Sequence, residues 1–223
     1  VTTNAGDVVG FSYIYSDPYS SGKDTEILAW RGIPFADPPV GNLRWKFPHK
    51  PNPWVTPLQA NKFAPCCMQQ SLSSGEVIGS EDCLYLNVYT KRNTNLDYTS
   101  SGSGSGSGAN GNENNMTSVD DGLFPVLFFI YGGGLTNGAA NASFDSLIAS
   151  FSDDISEGQK NAGLTVVEVS YRLNAFGFLA TSELTAESNT SSSGNYGIAD
   201  QILALHWIQD NIVHFGGDKN KVT

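Results

Sequence analysis

The chain reads as an α/β protein: a central, mostly parallel sheet with an antiparallel N-terminal part, flanked by helices. Three observations predict this class. Val126-Leu127-Phe128-Phe129-Ile130 is an unbroken apolar run, mostly β-branched or aromatic, of the kind found in a strand buried on both faces of a parallel sheet. A similar run, Leu164 to Tyr171, follows after a short helical pattern over Asp145 to Phe151, and strand, helix and strand at that spacing predict a parallel βαβ unit. Finally, Ile198, Ile202, Leu205, Ile208, Ile212 and Phe215 recur by threes and fours, so they fall on one stripe of a helix that Gly216-Gly217 would cap. Lys219 to Thr223 then leads into another strand.

The earlier elements follow in order. Val8 to Tyr15 is a strand candidate, Ser20-Ser21-Gly22 a turn, and Ile27 to Trp30 a second apolar stretch, which together predict a small antiparallel piece. From Arg31 to Pro57 the chain is dense in proline, which fixes φ and lacks an N–H, so helices and central strands are disfavoured. An ordered surface loop packed by Phe35, Trp45, Phe47 and Trp54 is expected instead. Leu84 to Tyr89 alternates as a strand, with Leu84, Leu86 and Val88 on one face and Tyr85, Asn87 and Tyr89 on the other.

Residues 91–122 break the pattern. Gly-Ser repeats run to Gly108 and an Asn-rich stretch follows, a composition too poor in apolar side chains to order itself. The segment reads as a low-complexity surface insertion between neighbouring strands, because lengthening a loop costs little closure entropy. A domain linker is the other reading. As an insertion, it leaves residues 1–223 as the N-terminal part of a single domain.

With 39% hydrophobic and 11% aromatic residues, 223 residues can build a substantial core, which excludes a disordered chain. Twelve basic against 22 acidic residues give a formal net charge of -10, which argues against nucleic acid and anionic membrane surfaces as partners. No stretch approaches the roughly 20 apolar residues of a transmembrane helix. The chain opens at Val1 without a basic-then-apolar leader, as expected after processing or trimming. Cys66, Cys67 and Cys83 lie close together, and N-x-S/T sequons occur at Asn115, Asn141 and Asn189, a combination that points to a secreted or lumenal protein. A metal site fits poorly, since Cys66-Cys67 lacks a C-x-x-C spacing and no histidine is near; no metal or cofactor is expected.

Where the Val126–Ile130 run meets Tyr131-Gly132-Gly133-Gly134-Leu135, residues without Cβ let the backbone take positive φ and let a ligand reach its N–H groups. An oxyanion hole is built in this way. A Gly-Gly-Gly taken alone reads first as a flexible strand-to-loop connection.

The blocks around it resemble one family, the type B carboxylesterases and cholinesterases of the α/β-hydrolase fold. Arg31-Gly32-Ile33-Pro34-Phe35-Ala36 and Pro38-Pro39-Val40-Gly41 resemble the family's N-terminal segment, and Glu81-Asp82-Cys83-Leu84-Tyr85-Leu86-Asn87-Val88 its diagnostic octapeptide. Phe129 to Gly134 resembles its oxyanion strand and loop, while Tyr171 to Leu179 and Gly194 to Gln201 resemble two further blocks. Phe215-Gly216-Gly217-Asp218 resembles the lead into the Gly-x-Ser-x-Gly nucleophile elbow, which would follow Thr223 by a few residues. The triad order of the fold, Ser then Asp or Glu then His, places acid and base further downstream still. His49, His206 and His214 are therefore poor candidates for the base.

The resemblance implies specific roles. Gly133 and Gly134 would supply two N–H donors to the oxyanion, and the residue after the missing Ser a third. Leu135 stands where the family usually has phenylalanine, on the acyl side of the pocket. Cys67 and Cys83 would form the N-terminal disulfide, leaving Cys66 as a passive thiol. Arg172 with Asp200, and Arg44 with Glu81, would form buried structural ion pairs. Cholinesterases carry a choline-binding tryptophan within the disulfide loop, and Gln69 to Asp82 contains none, so the implied substrate is a small neutral ester. The implied activity is carboxylic-ester hydrolysis through an acyl-enzyme. The competing expectation is a catalytically inactive relative used for adhesion, storage or structure, which would keep the same scaffold motifs.

Overall fold

The computed structural model describes residues 1–17, 24–93, 122–151 and 163–223. The Ser20-Ser21-Gly22 turn, Asn115 and all but the two ends of the 91–122 insertion lie outside the described residues. Two strands, β1 (Val8–Val9) and β2 (Phe11–Ser16), open the chain. The single strand expected from Val8 to Tyr15 is interrupted at Gly10, where the backbone packs against the Trp30 indole too closely for any Cβ. β3 (Asp24–Pro34) follows, then the proline-rich segment with β4 (Leu58–Gln59), then β5 (Gln69–Gln70) and β6 (Val77–Ile78). β7 (Tyr85–Lys91) and β8 (Phe124–Ile130) flank the insertion. α1 (Asp145–Ser150), β9 (Thr165–Val169), α2 (Asn174–Phe178), α3 (Ser182–Glu187), α4 (Tyr196–Asn211) and β10 (Gly217–Val222) complete the chain.

Six of these strands form one mixed sheet in the order β10-β8-β9-β7-β3-β2. β10, β8 and β9 run parallel, whereas β9-β7, β7-β3 and β3-β2 are antiparallel, so the expected N-terminal antiparallel part joins the parallel part at β9. The crossover from β8 through α1 to β9 is the expected βαβ unit.

Side chains alternate across the sheet, and both faces are covered. Leu28, Trp30, Leu86, Val88, Val167 and Val169 pack toward α4 with Ala204, Trp207 and Ile208; Ile27, Ala29, Tyr89 and Val166 pack on the other face with Ile148 of α1. This two-sided cover explains why β9 is buried along its whole length. β8 is buried only in its first half. β10 pairs with it at Phe124 and Val126, and the Phe128 N–H donates to the Thr223 carbonyl (2.7 Å). The proline-rich loop is ordered by its aromatics, as Phe35 is buried, Trp54 Nε1 donates to the Asp7 carbonyl (2.8 Å) and Trp45 Nε1 to that of Ala175 (2.9 Å).

α4 differs from expectation in its rotation. Ile198, Ile202 and Leu205 of the apolar stripe remain 39, 52 and 38% exposed, while Tyr196, Asp200, Ala204, Trp207, Ile208 and Asn211 face inward. Two constraints turn the helix this way. Asp200 must reach Arg172, and Gly197 abuts the Arg172 carbonyl and the Phe178 ring where no Cβ would fit. Beyond α4, Ile212–Phe215 forms a 3-10 turn, and Gly216 caps it at φ +84° before β10 begins at Gly217.

Candidate active site at the end of β8

In open α/β sheets ligands bind beyond the carboxyl ends of the parallel strands, and the chains leaving β8 and β9 meet there. Tyr131 and Tyr171, each just past its strand, stack with ring centroids 4.6 Å apart. Each phenol donates to the other's backbone carbonyl, Tyr131 to Tyr171 at 3.2 Å and Tyr171 to Tyr131 at 2.9 Å. Burial raises the pKa of both phenols, so they stay protonated donors at neutral pH.

From Tyr131 the chain folds into a tight loop. The Gly133 carbonyl accepts the N–H groups of Thr136 (3.1 Å) and Asn137 (3.3 Å) and the Thr136 hydroxyl (3.0 Å). Gly133 and Gly134 have φ of +131° and +62°, and Leu135 continues at +63°. A Cβ on Gly133 would overlap the Asn137 carbonyl oxygen; Gly134 has open space around it but needs its left-handed φ. The loop tip is exposed, and among the described residues the N–H groups of Gly133 and Gly134 donate to no protein acceptor. Two free donors on a constrained backbone can receive an oxygen that gains negative charge.

Four polar side chains hold this loop and the residues that follow it. The Asn174 N–H donates to the Leu135 carbonyl (2.9 Å), and its Nδ2 donates to Thr136 (2.7 Å) and Met68 (3.3 Å) carbonyls. Gln69 accepts the Gly138 N–H (2.9 Å) and donates to the Gly138 carbonyl (2.7 Å). Further along, Glu168 of β9 accepts the Ala142 N–H (2.8 Å) and the Asn87 amide (3.3 Å), while Asn87 also donates to the Ala140 carbonyl (2.9 Å). Burial raises the pKa of the Glu168 carboxyl, opposed by hydrogen bonds from Ala142, Asn87 and Asn141. None of these holders is singled out by the sequence patterns. Glu168 carries a legible signal, an acidic residue inside an otherwise apolar strand.

Behind the loop, Arg172 and Asp200 make a bidentate pair, Nε to Oδ2 at 2.9 Å and Nη2 to Oδ1 at 2.7 Å, with side chains 3 and 0% exposed. The Arg172 N–H also donates to Asp200 (3.0 Å), and Nη1 donates to the Lys46 carbonyl (2.9 Å). Burial pushes the Asp200 carboxyl upward against the pull of Arg172. The pair fixes the chain two residues before Asn174. Arg44 and Glu81 pair bidentately too, but their side chains are 41 and 22% exposed. The burial expected for them is not found, because both project from surface turns.

Cys67 and Cys83 form a disulfide with Cα atoms 5.0 Å apart, and Cys66 is free and half-buried. Asn141 and Asn189 are exposed. His49, His206 and His214 are also exposed, each on the surface. Among the described residues, no helix is long and apolar enough to cross a membrane.

The parallel strands, their crossover and the glycine loop at their carboxyl ends define an α/β-hydrolase. Residues 1–223 match the carboxylesterase family, and the chain belongs to it. It is 35% identical over 205 residues to the fumonisin B1 esterase of Sphingopyxis macrogoltabida, covering 91% of this chain and 32% of that protein. It is 34% identical over 225 residues to the juvenile hormone esterase of Tribolium castaneum, covering 100% and 30%. The crystal structure of a Geobacillus stearothermophilus carboxylesterase superimposes with a TM-score of 0.66 at 29% identity, covering 100% of this chain and 36% of that one. The chain thus spans about a third of the length of the relatives it matches.

Proposed function

We propose that the whole protein hydrolyses carboxylic esters through an acyl-enzyme, and that Gly133 and Gly134 supply two of the three N–H donors of its oxyanion hole. The observation that carries this reading is the pair of free N–H groups at Gly133 and Gly134, on a loop held by the hydrogen bonds of Thr136 and Asn137 to the Gly133 carbonyl. A serine beyond the described residues attacks the ester carbonyl, a histidine takes its proton and returns it to the leaving alcohol, and the developing oxyanion settles on the glycine donors. The substrate is a small neutral ester. The cysteines and the exposed Asn141 and Asn189 sequons support a secreted or lumenal glycoprotein.

The test is Gly133→Val in the full-length protein. A side chain there collides with the Asn137 carbonyl and displaces the loop, so both donors leave their positions. Losing one oxyanion donor costs roughly 10²–10³ in kcat, and a fall of at least that size is expected with p-nitrophenyl esters while circular dichroism stays unchanged. A wild-type protein that turns over no ester would instead favour the inactive, adhesive or structural relative.

A further inference from the structure

We propose that Gln69 is a positioning residue for ester hydrolysis, clasping the neck of the glycine loop and tying it to the Cys67–Cys83 disulfide. The inference rests on the oxyanion role given above to Gly133 and Gly134. One buried amide satisfies both backbone polar groups of a single residue: Oε1 accepts the Gly138 N–H and Nε2 donates to the Gly138 carbonyl. Nε2 also donates to the Cys67 carbonyl at 3.0 Å. Only the amide can do this, because the contact needs one acceptor and two donors on the same planar group.

Gly138 is where such a clasp acts on the loop. It has φ +132°, and its Cα lies so close to the Tyr131 ring and the Gly132 carbonyl that a Cβ would collide with both. A shift of Gly138 is therefore transmitted directly to Gly132, the residue before the donors. The preceding residue reinforces the link, since the Met68 carbonyl accepts Asn174 Nδ2, which also holds Thr136. Residues 67–69 thus hold the loop from the disulfide side, at Gly138 directly and at Thr136 through Asn174.

The experiment compares wild type, Gln69→Leu and Gln69→Glu in the full-length protein, with active sites counted by a fluorophosphonate. Gln69→Leu removes all three hydrogen bonds at similar volume; Gln69→Glu keeps the acceptor and loses the donors. The expected result is a kcat per titrated site lowered about tenfold in each, with KM within about twofold, because donor misplacement weakens transition-state more than ground-state binding. Affinity for a trifluoromethyl ketone, which forms the oxyanion on the nucleophile, should fall by the same factor. Unchanged kcat and analogue affinity in the folded variants, or a change confined to KM, would overturn the proposal. If Gln69→Leu does not fold, Gln69→Glu decides. If wild type hydrolyses no ester, the parent reading fails, and hydrogen exchange over residues 132–138 still reads the clasp: it must accelerate in the variants, and unchanged exchange refutes it.

Discussion

Tyr131 and Tyr171 each donate a phenolic hydrogen bond to the other's carbonyl while their rings stack, so the chains leaving two neighbouring parallel strands are locked as a reciprocal pair. The backbone leaves the sheet here, and each buried carbonyl loses the partner that a ladder would provide. The phenols supply it, and the glycine loop therefore starts from a fixed point.

Tyr171→Phe removes the donor to the Tyr131 carbonyl and nothing else of that side chain. A loss of about 1–3 kcal/mol is expected, the cost of a buried acceptor left unsatisfied. Urea unfolding of the full-length protein checks it; a variant as stable as wild type would show that this carbonyl finds another donor.

Asp200→Ala leaves the Arg172 guanidinium buried without its counter-charge, and a destabilisation of about 3–5 kcal/mol is expected. Glu81→Gln, at the exposed pair with Arg44, should leave the melting temperature unchanged. Equal effects of the two substitutions would contradict the difference in burial.

Glu168 makes stability depend on pH. Its folded pKa lies above the ordinary 4.5, so within that window the folded state holds a proton that the unfolded chain has released. Its contribution is therefore greatest below the unfolded pKa and falls as pH rises through the folded one. Glu168→Gln removes this dependence, so the unfolding midpoint of the variant relative to wild type should climb as pH rises above the ordinary carboxylate value. A flat difference across that range would be the contrary result.

The Cys67–Cys83 disulfide closes a loop with a sequence separation of 16. Replacing both cysteines by serine should cost about 3 kcal/mol through the freed unfolded chain, whereas Cys66→Ser should cost nothing measurable. Thermal unfolding of the two variants separates them; a large effect of Cys66→Ser would mean that the half-buried thiol carries structural weight.

The elements with strong local periodicity were legible before any coordinates. The β8 and β9 runs, the short helix between them, the alternating β7 and the glycine-capped end after α4 appear where their patterns put them. The facing of α4 was legible only in part. The apolar stripe is buried at Ile208, Ile212 and Phe215 but not at Ile198, Ile202 and Leu205, where a buried carboxylate has to meet its guanidinium and Asp200 finds Arg172 across 28 residues. The loop holders were hidden for the same reason, because Gln69 binds 69 residues away, Asn174 38 and Glu168 26.

By itself the sequence determined the class of fold, the order of its strands and helices, and a glycine loop at the end of β8 set among carboxylesterase-like blocks. These are local properties, written in spacing and in the conformations that glycine permits. The tertiary structure decided which face of α4 is buried, that Arg44 and Glu81 lie at the surface, and which polar side chains hold the glycine loop. A polar side chain has many possible partners along the chain. Only packing removes water from around it, and that desolvation determines which partner it must find.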